Sequence, residues 1–220
     1  MKYLLSGISD LVLAGLFIVT WVDPLRFSDT LVKSLMLVML MEFFAIHSGA
    51  FLGAVLLSPL GRIKKLAALT GLGAFYSLFI GSFGWRFGTL WPLGIFWLLI
   101  VNRMIEVLAG EAPDGMERTI MKRGWAAGVL FYLLSVMLTT VLPVPQLGIS
   151  GSVVTLQDLT GSGLWIDQPW TVIAAGSLYF TLIGLSAMTR HRLFKSGDNQ
   201  PRKVTVAGKS HSLPDKPPTN

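Results

Sequence analysis

Apolar residues come in six blocks separated by short polar or charged segments. The blocks run approximately from Tyr3 to Val22, Leu31 to Leu57, Leu66 to Phe83, Thr89 to Leu108, Trp125 to Leu142 and Thr171 to Thr189. A hydrocarbon core about 30 Å thick takes roughly 20 residues at 1.5 Å rise each. Each block approaches or exceeds that length, so the pattern predicts an all-α membrane protein, a bundle of about six transmembrane helices. Composition points the same way: 52% of the residues are hydrophobic, 14% are charged and the mean hydropathy is +0.63, a balance suited to lipid as solvent. The first block follows Lys2 and leads into Trp21-Val22-Asp23-Pro24, with no small-residue cleavage site, and reads as a retained span.

The net charge of +6 calls for no nucleic-acid partner, because its placement has a simpler meaning. With the amino terminus inside, fifteen of the 18 Lys and Arg residues fall on the inner side, and Arg26, Lys33 and Arg86 on the outer. Loops rich in Lys and Arg resist translocation, so the expected topology has both termini in the cytoplasm, in the cell membrane. Residues 1–192 then form a single transmembrane domain. The segment 193–220 is Pro-, Gly-, Lys- and Ser-rich and is expected to be a disordered basic tail drawn to anionic headgroups.

Between the blocks, Ser28 and Asp29 are expected to cap the second helix after Pro24. Gly84-Trp85-Arg86-Phe87-Gly88 reads as a tight outer turn, with Trp85 and Trp91 at the interface and Pro92 in the first turn of the next helix, so the third and fourth spans should form an antiparallel hairpin. Ala109 to Arg123 reads as a charged inner loop. The outer loop 143–170 is long and carries enough apolar residues, among them Ile149, Val153 and Trp165, to lie against the mouth of the bundle.

Helices in lipid associate through small residues and hydrogen bonds. The packing positions expected on this ground are Gly49 and Gly53 in the second span, Gly73 and Gly81 in the third, Gly128 in the fifth and Gly184 in the sixth, with Ser177 and Thr181 continuing the last stripe.

The residues that invite chemistry lie in the second span. Glu42 falls about 12 Å past Ser34 in a span of about 36 Å, too deep to reach either surface. It should face the bundle, on the side of Gly49 and Gly53, either protonated or hydrogen-bonded to another helix. His47 lies about 140° round the helix with Phe43, Ala50 and Ala54, so the two groups should address different neighbours. Tyr132, Ser135 and Thr139 share one face of the fifth span and could line a polar cavity. Near the inner ends, Asp10, Asn102, Arg103 and Glu106 suggest a cytoplasmic rim, Arg103 pairing with Glu106 three residues on.

No cofactor, metal or catalytic group is expected. The chain has no cysteine, no HExxH and no phosphate-binding glycine loop, and a single intramembrane histidine rules out bis-histidine haem ligation within one chain. Gly148-Ile149-Ser150-Gly151 resembles the GxSG of rhomboid-type serine proteases, but it lies in the outer loop and the last span offers no histidine to activate a serine. The function expected is passage or binding of a small solute or proton at a centre of Glu42 and His47. The alternative is a non-catalytic membrane subunit or assembly factor, and an intramembrane enzyme comes third. Expected partners are the lipid bilayer and a second copy or another membrane protein.

Overall fold

The computed structural model describes residues 2–110, 115–159 and 161–197, and of these it describes only the backbone at 2–6, 116, 117, 120 and 190–197. They form eight helices: α1 (Lys2–Val22), α2 (Leu31–Leu57), α3 (Arg62–Arg86), α4 (Trp91–Ala109), α5 (Gly115–Val141), the short α6 (Gly151–Leu156) and α7 (Leu164–Asp167), and α8 (Pro169–Gly197). Five stretches are long and apolar enough to cross a membrane: α2, α3, α4, Met121–Val141 of α5 and Pro169–Thr189 of α8. In α1 the apolar stretch Gly7–Val22 is shorter.

Three helices run further than hydropathy alone implies. The α3 helix starts at Arg62, α5 starts at Gly115 inside the expected inner loop, and α8 continues to Gly197, past the expected domain boundary. These extensions hold good helix formers such as Lys, Arg and Met, so the backbone ladder continues where the apolar signal stops. Residues 198–220, on which most of the expected tail falls, lie outside the described residues, as does part of the inner loop, 111–114.

Around the central α2 two cores assemble. Val32, Leu35, Met36 and Met39 of α2 join Phe17 of α1, Tyr132 of α5, and Ile173 and Tyr179 of α8 in the first. Phe44 and Leu52 of α2 join Leu69, Tyr76 and Ile80 of α3 and Phe96 and Ile100 of α4 in the second. A partner on each side makes α2 the shared element, and α1 lies chiefly along α8.

The α1–α8 seam shows close packing at glycines. Added Cβ atoms at Gly7 and Gly184 would each meet the other residue's carbonyl oxygen, at 3.1 and 3.0 Å, and a Cβ on Gly176 would collide with the Phe17 ring. Of the expected packing positions, Gly73 lies under Trp97 and Ile100, Gly49 under Trp125, and Gly184 in this seam. Gly53, Gly81 and Gly128 do not pack: a Cβ at any of them would meet nothing within 4 Å. Spacing places a glycine on a helix face, but whether a neighbour comes to that face is decided by the other helices. Likewise Ser177 and Thr181 bond back to carbonyls of their own helix, Ile173 and Ser177, and bridge to no neighbour among the described residues.

The expected hairpin of α3 and α4 closes through paired glycines. Gly88 adopts φ +68, the Thr89 amide donates to the Gly84 carbonyl at 2.8 Å, and the Gly88 amide donates to the Trp85 carbonyl at 3.1 Å. These two bonds form a Schellman motif, which consumes carbonyls the helix end leaves open. Gly84 must also be small, since a Cβ there would lie 2.6 Å from the Thr89 oxygen.

Ser28 and Asp29 do not cap α2. The Ser28 hydroxyl accepts from the Thr30 amide ahead of the helix, and the cap comes from 124 residues away: Gln157 Oε1 accepts from the Lys33 amide at 3.1 Å while Gln157 Nε2 donates to the Asp29 carbonyl at 2.6 Å. At its other end the Lys65 ammonium donates to the Leu56 carbonyl at 2.6 Å. Both ends of α2 are therefore held by side chains from other elements.

The described residues of the loop 143–170, which leave out residue 160, are seated against the bundle. Ile149 and Val153 are buried in the first core, the Gly148 amide donates to the Trp21 carbonyl at 3.0 Å, and Trp21 Nε1 donates to the Pro145 carbonyl at 2.9 Å. Gly148 is obligatory here, because a Cβ would run into the Val22 carbonyl. With α6 and α7 this loop closes one end of the bundle, called below the capped end.

Candidate functional site

Helix lengths bring four polar side chains to one depth. Counted from the capped end at 1.5 Å per residue, Asp10 of α1 lies about 18 Å in, Glu42 of α2 about 16 Å, Tyr132 of α5 about 14 Å and Tyr179 of α8 about 15 Å. The Tyr179 hydroxyl donates to Glu42 Oε2 at 3.1 Å. Asp10 lies within electrostatic reach of Glu42. The Tyr132 and Tyr179 rings meet edge to face with centroids 5.6 Å apart. This is an acidic centre: two carboxyls from two helices with two phenols beside them. Among the residues whose side chains are described, no Lys, Arg or His is bonded to Glu42 or Asp10.

Two bonds hold α5 against α2 on either side of Glu42. The Tyr132 hydroxyl donates to the Met39 carbonyl at 3.1 Å, and Trp125 Nε1 donates to the Ile46 carbonyl at 2.8 Å. Donors seven residues apart on one helix meet acceptors seven apart on the other, so an antiparallel pair is fastened over two turns. Trp125 lies across Gly49, and the glycine lets the indole come close. Glu42 sits between the two fastenings.

His47 is not part of this centre. Its Nδ1 is bonded to the Tyr76 hydroxyl of α3 at 2.8 Å, and its ring stacks on Phe43 at 5.7 Å with 12° between the planes. Phe43, His47, Ala50 and Ala54 are all exposed, so this face of α2 looks out of the bundle. The expected centre of Glu42 and His47 therefore separates into an inward acid and an outward imidazole, as their 140° separation on the helix requires.

The expected cytoplasmic rim also comes apart. Arg103 Nη1 donates to both carboxylate oxygens of Glu106, at 2.8 and 3.0 Å, and the pair is partly exposed on α4. Asn102 is exposed, and Asp10 belongs with Glu42 on the other side of α2. Asp10 lies nearer the Lys2 end of α1 than the Val22 end, and its height relative to Glu42 is set by where α1 meets the loop. Sequence reasoning missed Tyr179 because a tyrosine in an apolar run carries no signal of its own.

The expected polar strip on α5 faces inward. Ser135 is fully buried, and Tyr132 and Thr139 are nearly so. Thr139 Oγ1 donates to the Ser135 carbonyl at 2.9 Å, while Ser135 Oγ has no partner among the described residues. Past Thr139, at the capped end, a cavity of about 390 Å³ is bounded by Thr139, Thr140, Gln146, Gln168, Trp170 and Thr171 among others.

Comparison of the chain with protein-family models, curated proteins and solved structures finds no match. What the site can do has to follow from its own chemistry. A carboxyl held in a low-dielectric interior with one phenol donor and no basic partner among the described side chains can exist neutral, carrying a proton, or charged, with the phenol or a cation supporting it.

Proposed function

We propose that this chain crosses the cell membrane six times, with both termini in the cytoplasm, and that its acidic centre takes up and releases a proton during transport. The topology rests on the charge distribution: fifteen of the 18 basic residues lie on the side that would be cytoplasmic. On that reading α1 is the sixth span and the capped end faces outward. One observation carries the functional part. Glu42 accepts from Tyr179 and shares its depth with Asp10, without a basic partner among the described residues. An uncompensated charge at such a depth costs several kcal/mol. A proton arriving at Glu42 removes that cost, and its departure leaves a carboxylate that the Tyr179 hydroxyl stabilises. His47 has no part in this step.

The test is proton flux in proteoliposomes, followed with a pH dye in the lumen under an imposed gradient. Glu42→Gln should lower the flux at least tenfold. The amide oxygen can still accept from Tyr179, so the variant should fold and elute like the wild-type protein. Undiminished flux in a folded Glu42→Gln protein removes the acid from the mechanism.

A second reading, a membrane subunit or scaffold, is favoured by the outward face of α2, where His47 Nε2 carries no hydrogen bond among the described residues. A polar nitrogen turned to acyl chains is costly. A partner helix, or a second copy, that bonded it would relieve the cost. Purification in mild detergent should then yield a stoichiometric complex that His47→Phe disrupts.

A further inference from the structure

The acidic centre is connected to the capped end by one face of α5. Thr139, Ser135 and Tyr132 follow each other at four and three residues, steps of about 6 and 4.5 Å along the helix. All three are buried or nearly so. The first borders the 390 Å³ cavity and the last touches Tyr179, which already donates to Glu42. Between them sits Ser135 Oγ, fully buried and without a partner among the described residues. A serine that served only packing would normally bond back to a carbonyl of its own helix, as Ser177 does on α8 and Thr139 and Thr140 do on α5. An unbonded hydroxyl in that position has a donor and two lone pairs ready for its neighbours.

We infer that this face is a proton relay, and that the cavity is its entrance. The cavity walls suit the purpose. Threonine hydroxyls and the amides of Gln146 and Gln168 can order water, while none of its lining residues carries a charge that would repel or trap a proton.

A hydronium ion entering the cavity gives a proton to the Thr139 oxygen and is left as water, while the hydroxyl proton of Thr139 passes to Ser135 and that of Ser135 to Tyr132. The Tyr132 hydroxyl turns from the Met39 carbonyl and hands its proton to Tyr179 as Tyr179 releases its own to Glu42. Each hydroxyl gains one proton and loses one. The net change is one hydronium converted to water and Glu42 converted from carboxylate to acid.

This relay rests on the proton-handling reading of Glu42, and Ser135→Ala separates the two. No hydrogen bond of Ser135 Oγ is lost in that variant, so its melting temperature in detergent should equal or exceed that of the wild-type protein. Its proton flux should nevertheless fall at least tenfold, and Ser135→Thr, which restores a hydroxyl, should recover part of it. If Ser135→Ala keeps flux within twofold of wild type while Glu42→Gln is inactive, the relay is wrong and the acidic centre stands. If Glu42→Gln also keeps its flux, the acidic centre fails and the relay fails with it.

Discussion

Single residues here act through the space around them more than through their type. Gly176 and Gly81 are both helical glycines in lipid-length helices, yet one lies under the Phe17 ring and the other faces nothing within 4 Å. Gly176→Ala should destabilise by about 1–3 kcal/mol through overpacking. Gly81→Ala should stay within about 1 kcal/mol of neutral, with higher helix propensity tipping it toward stabilisation. Melting temperatures of the two variants in the same detergent check the contrast, and equal losses would contradict the seam described for α1 and α8. Glu42 was visible in the sequence because a carboxylate in an apolar block is conspicuous. Its partners were not, because Tyr179 and Asp10 enter the site through the relative heights of α1, α2 and α8, a quantity no single helix contains.

At the scale of elements, helix ends were harder to read than helix interiors. The core of each long helix follows from apolar length, and α2 begins and ends at the residues hydropathy marks. Its cap does not follow: a Ser and an Asp precede it, as a capping signal should, but Gln157, the residue after α6, takes the position. Gln157 is 3% exposed, so losing its amide would leave the Lys33 N–H and the Asp29 carbonyl short of partners. Gln157→Leu should cost about 1–3 kcal/mol. Hydrogen exchange should quicken at Lys33 and across α6 together. Exchange confined to α6 would mean that the loop does not hold α2. The α3–α4 turn is the contrary case: its glycines and Pro92 lie within a few residues of one another, so a local signal sufficed to indicate the hairpin.

For the whole molecule, α2 is the common wall of two packed groups, α1 with α5 and α8 on one side and α3 with α4 on the other. The proposed orientation is open to a direct check, because the chain has no cysteine and single thiols can be added without background. Ser152→Cys at the capped end should react with a membrane-impermeant maleimide on intact cells. Thr119→Cys at the opposite end should react only after permeabilisation. The reverse pattern would overturn the assignment of the capped end to the outside, and with it the direction of the proton relay.

Chain chemistry by itself determined the helical class, the approximate limits of the long helices, their capacity to cross a membrane and the place of Glu42 along α2, because apolar length is a property of each segment alone. It also separated Glu42 from His47, since 100° per residue is fixed within one helix. Tertiary structure alone decided that Asp10 and Tyr179 join Glu42, that Gly7 and Gly176 pack while Gly53 and Gly128 do not, and that Gln157 caps a helix far from it in sequence. Those outcomes depend on how rigid helices slide and rotate against one another. In lipid, where apolar faces are all alike, that choice is made by close contacts and scattered hydrogen bonds between segments.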